Sequence, residues 1–107
     1  MSLDVSLIKT EPTTVFEANI THNLNHMAEE AGIYKYLWRP EELDITLACQ
    51  LVEPLTRGLD LLKSDPERFK AFDPSNKWGD YGGLVSFVES YLKACKNNLR
   101  AQVEVSR

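Results

Sequence analysis

His22 and His26 stand four residues apart in "NITHNLNHM", residues 19–27, a stretch that also holds Asn19, Asn23 and Asn25. On a helix this i, i+4 spacing turns two imidazoles to one side, where they could share a metal with Glu29 or Glu30 as an oxygen ligand. The signal stops short of a site. The glutamate that HExxH places between its histidines is absent, and no remote Cys, His or acidic motif identifies a further ligand. No metal is therefore assigned. A simpler reading makes Asn19 or Thr21 a helix cap and leaves the other polar residues to water. It suits His22 and Asn23 less well, because asparagine is a poor helix former and the free N–H groups of a helix start can receive an anion. His22 and Asn23 are thus candidates to face a ligand or a partner.

Two further stretches invite a site. "GIYKYLWRPEE", residues 32–42, packs Tyr34, Tyr36, Trp38 and Arg39 just ahead of Pro40. Aromatic rings beside a guanidinium make a stacking and hydrogen-bonding surface suited to a nucleobase, a sugar or a partner side chain. Against this, Tyr36, Leu37 and Trp38 could simply anchor the connection to the core. "DPSNKWGDYGG", residues 73–83, is loop-like, with Asn76, Trp78, three glycines, a cap at Asp80 and then Tyr81. Its spacing matches neither GxGxxG nor GxxxxGK[ST], so a rigid turn with Trp78 plugging the core competes with a binding loop. No GxSxG occurs, and Cys49 falls on a helical pattern rather than a reactive turn. His22 with Asp80 or Glu30 could form an acid–base pair only if the fold brought them within reach.

The elements that must position these residues can be read from periodicity. Leu3, Val5 and Leu7 alternate with polar neighbours, as do Val103 and Val105, so both ends of the chain read as strands. After the "TEPT" turn at residues 10–13, "TTVFEA" suits a second strand, and an antiparallel three-stranded sheet is the economical arrangement. Ile20, Leu24, Met27, Ala28 and Ala31 form one apolar helical stripe that Gly32 can end, leaving His22 and His26 on its far side. A second helix carries Ala48, Leu51, Val52, Leu55, Leu59 and Leu62 inward, with Pro54 expected to kink or divide it. Asp65 and Pro66 start a short helix that ends near Phe72. The last helix covers residues 80–96, with Leu84, Phe87, Val88, Tyr91, Leu92 and Cys95 inward and Asn97 and Asn98 terminating it. The fold class is α+β: an N-terminal hairpin and a C-terminal strand packed against three to four helices.

At 107 residues and 43% hydrophobic content the chain fits one domain over residues 1–107. A formal net charge of -4 disfavours nucleic-acid binding through bulk electrostatics. The opening "MSLDVSLIKT" has neither the basic region nor the apolar run of a secretory signal, and no stretch is long enough to span a membrane. A cytoplasmic protein is expected, with Cys49 and Cys95 as two reduced, buried thiols. The sequon at residues 19–21 is set aside for the same reason. The terminal strands could pair across a homodimer if an edge stays open.

Taken together, "NITHNL", "AGIYKYLWRPEE", "PERFKAFDPSNKWGDYGGLVSFVESYL" and the closing "VEVSR" resemble a group of small bacterial and bacteriophage proteins over nearly the whole chain. The resemblance implies a prokaryotic or phage origin and a single compact domain; it implies no activity. The group's pattern carries lysine where this chain has His26, which weighs against a two-histidine metal site. It carries glycine where this chain has Lys77, so a tight turn there is not obligatory. The group's distinctive segments coincide with the three polar-aromatic stretches, which favours one shared surface.

The expectation is a non-catalytic binding protein with no cofactor. Asn19, His22, Asn23, Trp38, Arg39, Asn76, Trp78 and Tyr81 would surround one pocket for a small polar or anionic ligand of nucleotide-like chemistry. One alternative is a protein-interaction module or inhibitor of a host complex, with the same aromatic and Arg residues as hot spots. Another is a small enzyme using His22 as acid or base.

Overall fold

The computed structural model describes residues 2–9, 13–76 and 79–107. Most of the turn read at residues 10–13 and the Trp78 plug lie outside the described residues. Three strands, β1 (Ser2–Ile8), β2 (Thr14–Thr21) and β3 (Gln102–Ser106), form an antiparallel sheet in the order β2-β1-β3. The helices are α1 (Asn25–Glu30), α2 (Tyr34–Trp38), α3 (Cys49–Ser64), α4 (Pro66–Lys70) and α5 (Tyr81–Asn97), with 3-10 turns at His22–Leu24 and Pro40–Leu43. The fold class is the α+β arrangement that the periodicity implies.

Alternation decides which sheet face meets the helices. Leu3, Val5 and Leu7 are buried, with Ile20, Ala18 and Phe16 opposite them on β2 and Val103 and Val105 beside them on β3. Asp4, Glu17, Asn19 and Glu104 take the other phase and are exposed. On the covered face α5 packs against β2, and α3 packs against α5. The fully buried Leu51, Leu55, Leu62, Leu84 and Val88 join one hydrophobic cluster with Leu3 and Leu7. Each such side chain stabilises the fold by about 1.5–3 kcal/mol relative to its exposed state.

Two local readings change. Ile20 belongs to β2, opposite Leu3, and not to the first helix. Isoleucine satisfies both periods at this position, and pairing of Ile20 and Thr21 with Leu3 and Ser2 supplies backbone hydrogen bonds that an unpaired helix start lacks. Thr21 then takes the cap position, where its Oγ1 accepts from the Asn23 N–H at 3.3 Å. Nor does α3 divide at Pro54. Pro54 lies in the second helical turn, where its missing N–H removes one bond, to the Gln50 carbonyl. The Gln50 side chain meanwhile braces the helix entrance, its Oε1 accepting from the Thr46 and Leu47 N–H groups at 2.8 and 2.9 Å.

Candidate functional site

The 3-10 turn after β2 holds His22 half-buried against α2 rather than on a fully solvated helix face. Its ring meets the Trp38 indole edge-on, with centroids 6.2 Å apart. The neighbour of His22 thus comes from α2 and not from the apolar stripe of its own helix. His22 Nε2 and Trp38 Nε1 are both enclosed and have no hydrogen-bond partner among the described residues. Unpaired polar atoms are costly inside a protein, and these two, like the enclosed Tyr91 hydroxyl, carry that cost.

Trp38 is 2% exposed and belongs to the core. It cannot act as an open stacking platform. Tyr34 covers its face, with centroids 5.5 Å apart and planes 16° from parallel. The Tyr34 hydroxyl accepts from Arg39 Nε at 3.2 Å, and Arg39 Nη1 reaches Glu42 Oε2 at 3.4 Å. The Tyr34 hydrogen bond, supported by the Glu42 carboxylate, raises the Arg39 guanidinium above its usual value. Glu42 also lies 3.6 Å from Lys35 Nζ, so part of the positive charge here is already balanced.

Beside this stack runs an open groove of about 420 Å³ lined by Glu29, Gly32, Tyr34, Lys35, Tyr36 and Leu43. Gly32, at φ +77°, makes the turn between α1 and α2 that opens it. Arg107 braces the same stretch of chain: its Nη1 donates to the Trp38 carbonyl at 2.7 Å and to both Glu41 carboxylate oxygens at 2.9 and 3.0 Å. Partial desolvation of Glu41 acts against ionisation, but the Arg107 hydrogen bond, a backbone hydrogen bond and the charges of Arg107 and Arg39 together hold the carboxyl below its usual value.

The remaining sequence candidates are placed differently. Asn19 is on the open face of the sheet, in a shallow concavity with Asp4, Ser6 and Glu17. Asn23 is exposed and folds back, its Nδ2 donating to Thr21 Oγ1 at 3.0 Å. Tyr81 is a strut: its hydroxyl donates to the Leu62 carbonyl at 2.7 Å and its N–H to Asp73 Oδ1 at 2.8 Å. With Asp80 Oδ1 accepting from the Gly83 N–H at 2.7 Å, two carboxylates occupy the start of α5 and would repel a phosphate there. Asn76 is exposed on the turn before α5, and Trp78 lies outside the described residues. That turn nevertheless reaches the first stretch, because a Cβ on Gly79 would fall 2.6 Å from Thr21 Cγ2 and 3.0 Å from Leu24 Cδ1. Neighbouring parts of the three stretches therefore touch: His22 meets Trp38 and Tyr34 links Trp38 to Arg39, while Asn19 lies on the open sheet face and Tyr81 is tied to Leu62 and Asp73.

His26 does not join His22. It packs edge-on to Phe72 with centroids 4.7 Å apart and lies 3.8 Å from Glu30, while His22 faces Trp38. Among the described residues no group of three or more His, Cys, Asp and Glu side chains could hold a metal. Cys49 is exposed, contrary to expectation, because it opens α3 outside the apolar stripe; Cys95 is buried. No helix of the described residues is long and apolar enough to cross a membrane.

Lys35 and Leu43 carry no sequence signal for the groove they line. A second concavity, of about 700 Å³, is lined by residues 96–101 with Lys9 and Thr13. From sequence, Asn97 and Asn98 within it mark only the end of a helix. Comparison with protein-family models, curated proteins and solved structures finds no match for this chain.

Proposed function

We propose that this chain, of bacterial or phage origin, is a non-catalytic binding protein for a small polar or anionic ligand, and that the ligand sits on the surface formed by residues 32–43. The observation that carries the reading is the groove beside the Tyr34–Trp38 stack, where Tyr34, Tyr36 and Leu43 offer apolar walls and Lys35 a charge at the rim. Ligand sites combine apolar walls with a few placed polar groups in this way. Tyr36 is half-buried and Leu43 is 38% exposed, so a flat ring system can cover both. Arg39, oriented by Tyr34, would meet a negative group by exchanging the long contact to Glu42. The non-catalytic reading fits the prior engagement of the two carboxylates considered as partners of His22: Glu30 lies beside His26 and Arg68, and Asp80 Oδ1 accepts from the Gly83 N–H.

A protein-docking surface is the second reading, favoured by the exposure of Leu43 next to the charged residues Lys35 and Glu42. The two separate in one experiment. Lys35→Glu and Leu43→Asp proteins are compared with the unsubstituted chain after incubation with deproteinised bacterial extract and, separately, with whole lysate. A small added mass lost in both variants supports the ligand reading. A captured protein lost in both, with no small mass gained, replaces it with the docking reading.

A further inference from the structure

The described cations are unevenly paired. Lys9, Lys96 and Arg100, with Lys93 one turn back along α5, carry no ion pair among the described residues, whereas every other described Lys and Arg lies within 3.7 Å of a carboxylate oxygen. In a chain of net charge -4 this leaves the open positive charge at one corner. Lys9, Lys96 and Arg100 come from three elements: the hairpin end of β1, the last turn of α5 and the turn into β3. They line the same groove of about 700 Å³, whose lining includes no carboxylate among the described residues.

Lys96 alone would be explained by the negative end of the α5 dipole. Lys9 and Arg100 are on other elements and would not. Three of the backbone carbonyls lining this groove, those of Asn98, Leu99 and Ala101, are already engaged. The Leu99 carbonyl accepts from the Cys49 N–H and the Ala101 carbonyl from the Ala48 N–H, each at 2.9 Å. Asn98 Nδ2 covers the Ala94 carbonyl at 2.9 Å. These bonds hold the turn rigidly against the start of α3 and leave the three cations as the open charged groups. Leu99, 50% exposed, supplies an apolar wall.

We propose that this groove is a binding site for a phosphate-bearing small molecule, with Lys9, Lys96 and Arg100 contacting the phosphates and Leu99 covering an organic portion. The site is independent of the surface on residues 32–43. The groove adjoins the end of β1 where Ile8 pairs with Gln102, while His22 follows Thr21, which pairs with Ser2 at the other end. The intervening strand separates them by about 20 Å.

The test is calorimetric titration of the full chain with pyrophosphate and with ADP, without magnesium and at low ionic strength. The comparison protein is Lys9→Gln/Lys96→Gln/Arg100→Gln, which alters exposed side chains and keeps its far-UV dichroism. A charge-matched control, Arg57→Gln/Lys63→Gln/Lys70→Gln, removes paired cations elsewhere. The expected result is saturable binding of both probes, weakened by about tenfold or more in the groove variant and little changed in the control. ADP should bind more tightly than pyrophosphate, with the difference lost in Leu99→Ser. No saturable binding, or equal weakening in the control, overturns the site; equal affinity for the two probes overturns the role of Leu99.

Discussion

Tyr34 lies almost parallel over Trp38, centroids 5.5 Å apart and planes 16° from parallel, and thereby divides the aromatic stretch into a buried half and an exposed half. Trp38 is structural, and the outer rim is available for binding. Trp38→Ala should cost about 3–5 kcal/mol in chemical denaturation, whereas Trp38→Phe should cost less by keeping a ring under Tyr34. A binding defect in Trp38→Ala would therefore report folding, so Lys35 and Leu43 are the positions that report on the surface itself.

Arg107 ties the Trp38 carbonyl and Glu41 together. Arg107→Ala removes the bond to the Trp38 carbonyl and the Glu41 pair, and should lower stability by about 0.5–1.5 kcal/mol, given the partial exposure of both side chains. The Glu41 carboxyl is held below its unfolded value, so its contribution is present above the unfolded pKa and is lost as pH falls through the folded one. The difference between the unsubstituted chain and Arg107→Ala, measured by urea denaturation, should be full at pH 7. It should shrink below about pH 4 to the part due to the carbonyl bond.

The two thiols should behave oppositely. Cys49 is exposed and Cys95 buried, and burial pushes the Cys95 thiol up to about 12. A thiol-specific chromogenic reagent at pH 8 should modify one cysteine rapidly in the folded protein and both in denaturant. Because the folded Cys95 value is raised, its neutral form contributes stability below the unfolded value of about 8.5, and that contribution is lost as pH rises from there. Burial raises the Tyr91 hydroxyl as well, so alkaline unfolding should steepen above about pH 10.

Close approach makes one helical glycine intolerant of a side chain. A Cβ on Gly58 would collide with Ile33 Cγ2, the residue that leads into α2. Gly58→Ala should destabilise by about 1–3 kcal/mol despite the better helix propensity of alanine, because Ile33 is 1% exposed and enclosed by other core groups. Ile33→Ala in the same chain should recover part of the loss; thermal denaturation of the single and double variants checks both statements.

The fold was legible where one period dominated. The stripe from Leu84 to Cys95 and the alternation at Leu3, Val5 and Leu7 each admit one reading, and the buried set matches both. Ile20 fitted two periods, and only its cross-strand pairing with Leu3 decides between them. The candidate surface was partly legible, because Tyr34, Trp38 and Arg39 are neighbours in sequence as well as in space. Burial of Trp38 was legible as the reading in which Tyr36, Leu37 and Trp38 anchor the connection to the core; its contacts with His22 and with Arg107, 69 residues away, were not. Lys9 and Arg100 were illegible as a pair for the same reason: antiparallel pairing of β1 with β3 brings them to one groove from opposite ends of the chain.

The most direct measurement is native mass spectrometry of the chain after incubation with deproteinised bacterial extract, run beside Lys35→Glu and Leu43→Asp. The expected result is a reproducible added mass on the unsubstituted protein that both variants lose while remaining folded. An unliganded mass throughout, or an added mass that both variants retain, would contradict a ligand site on residues 32–43.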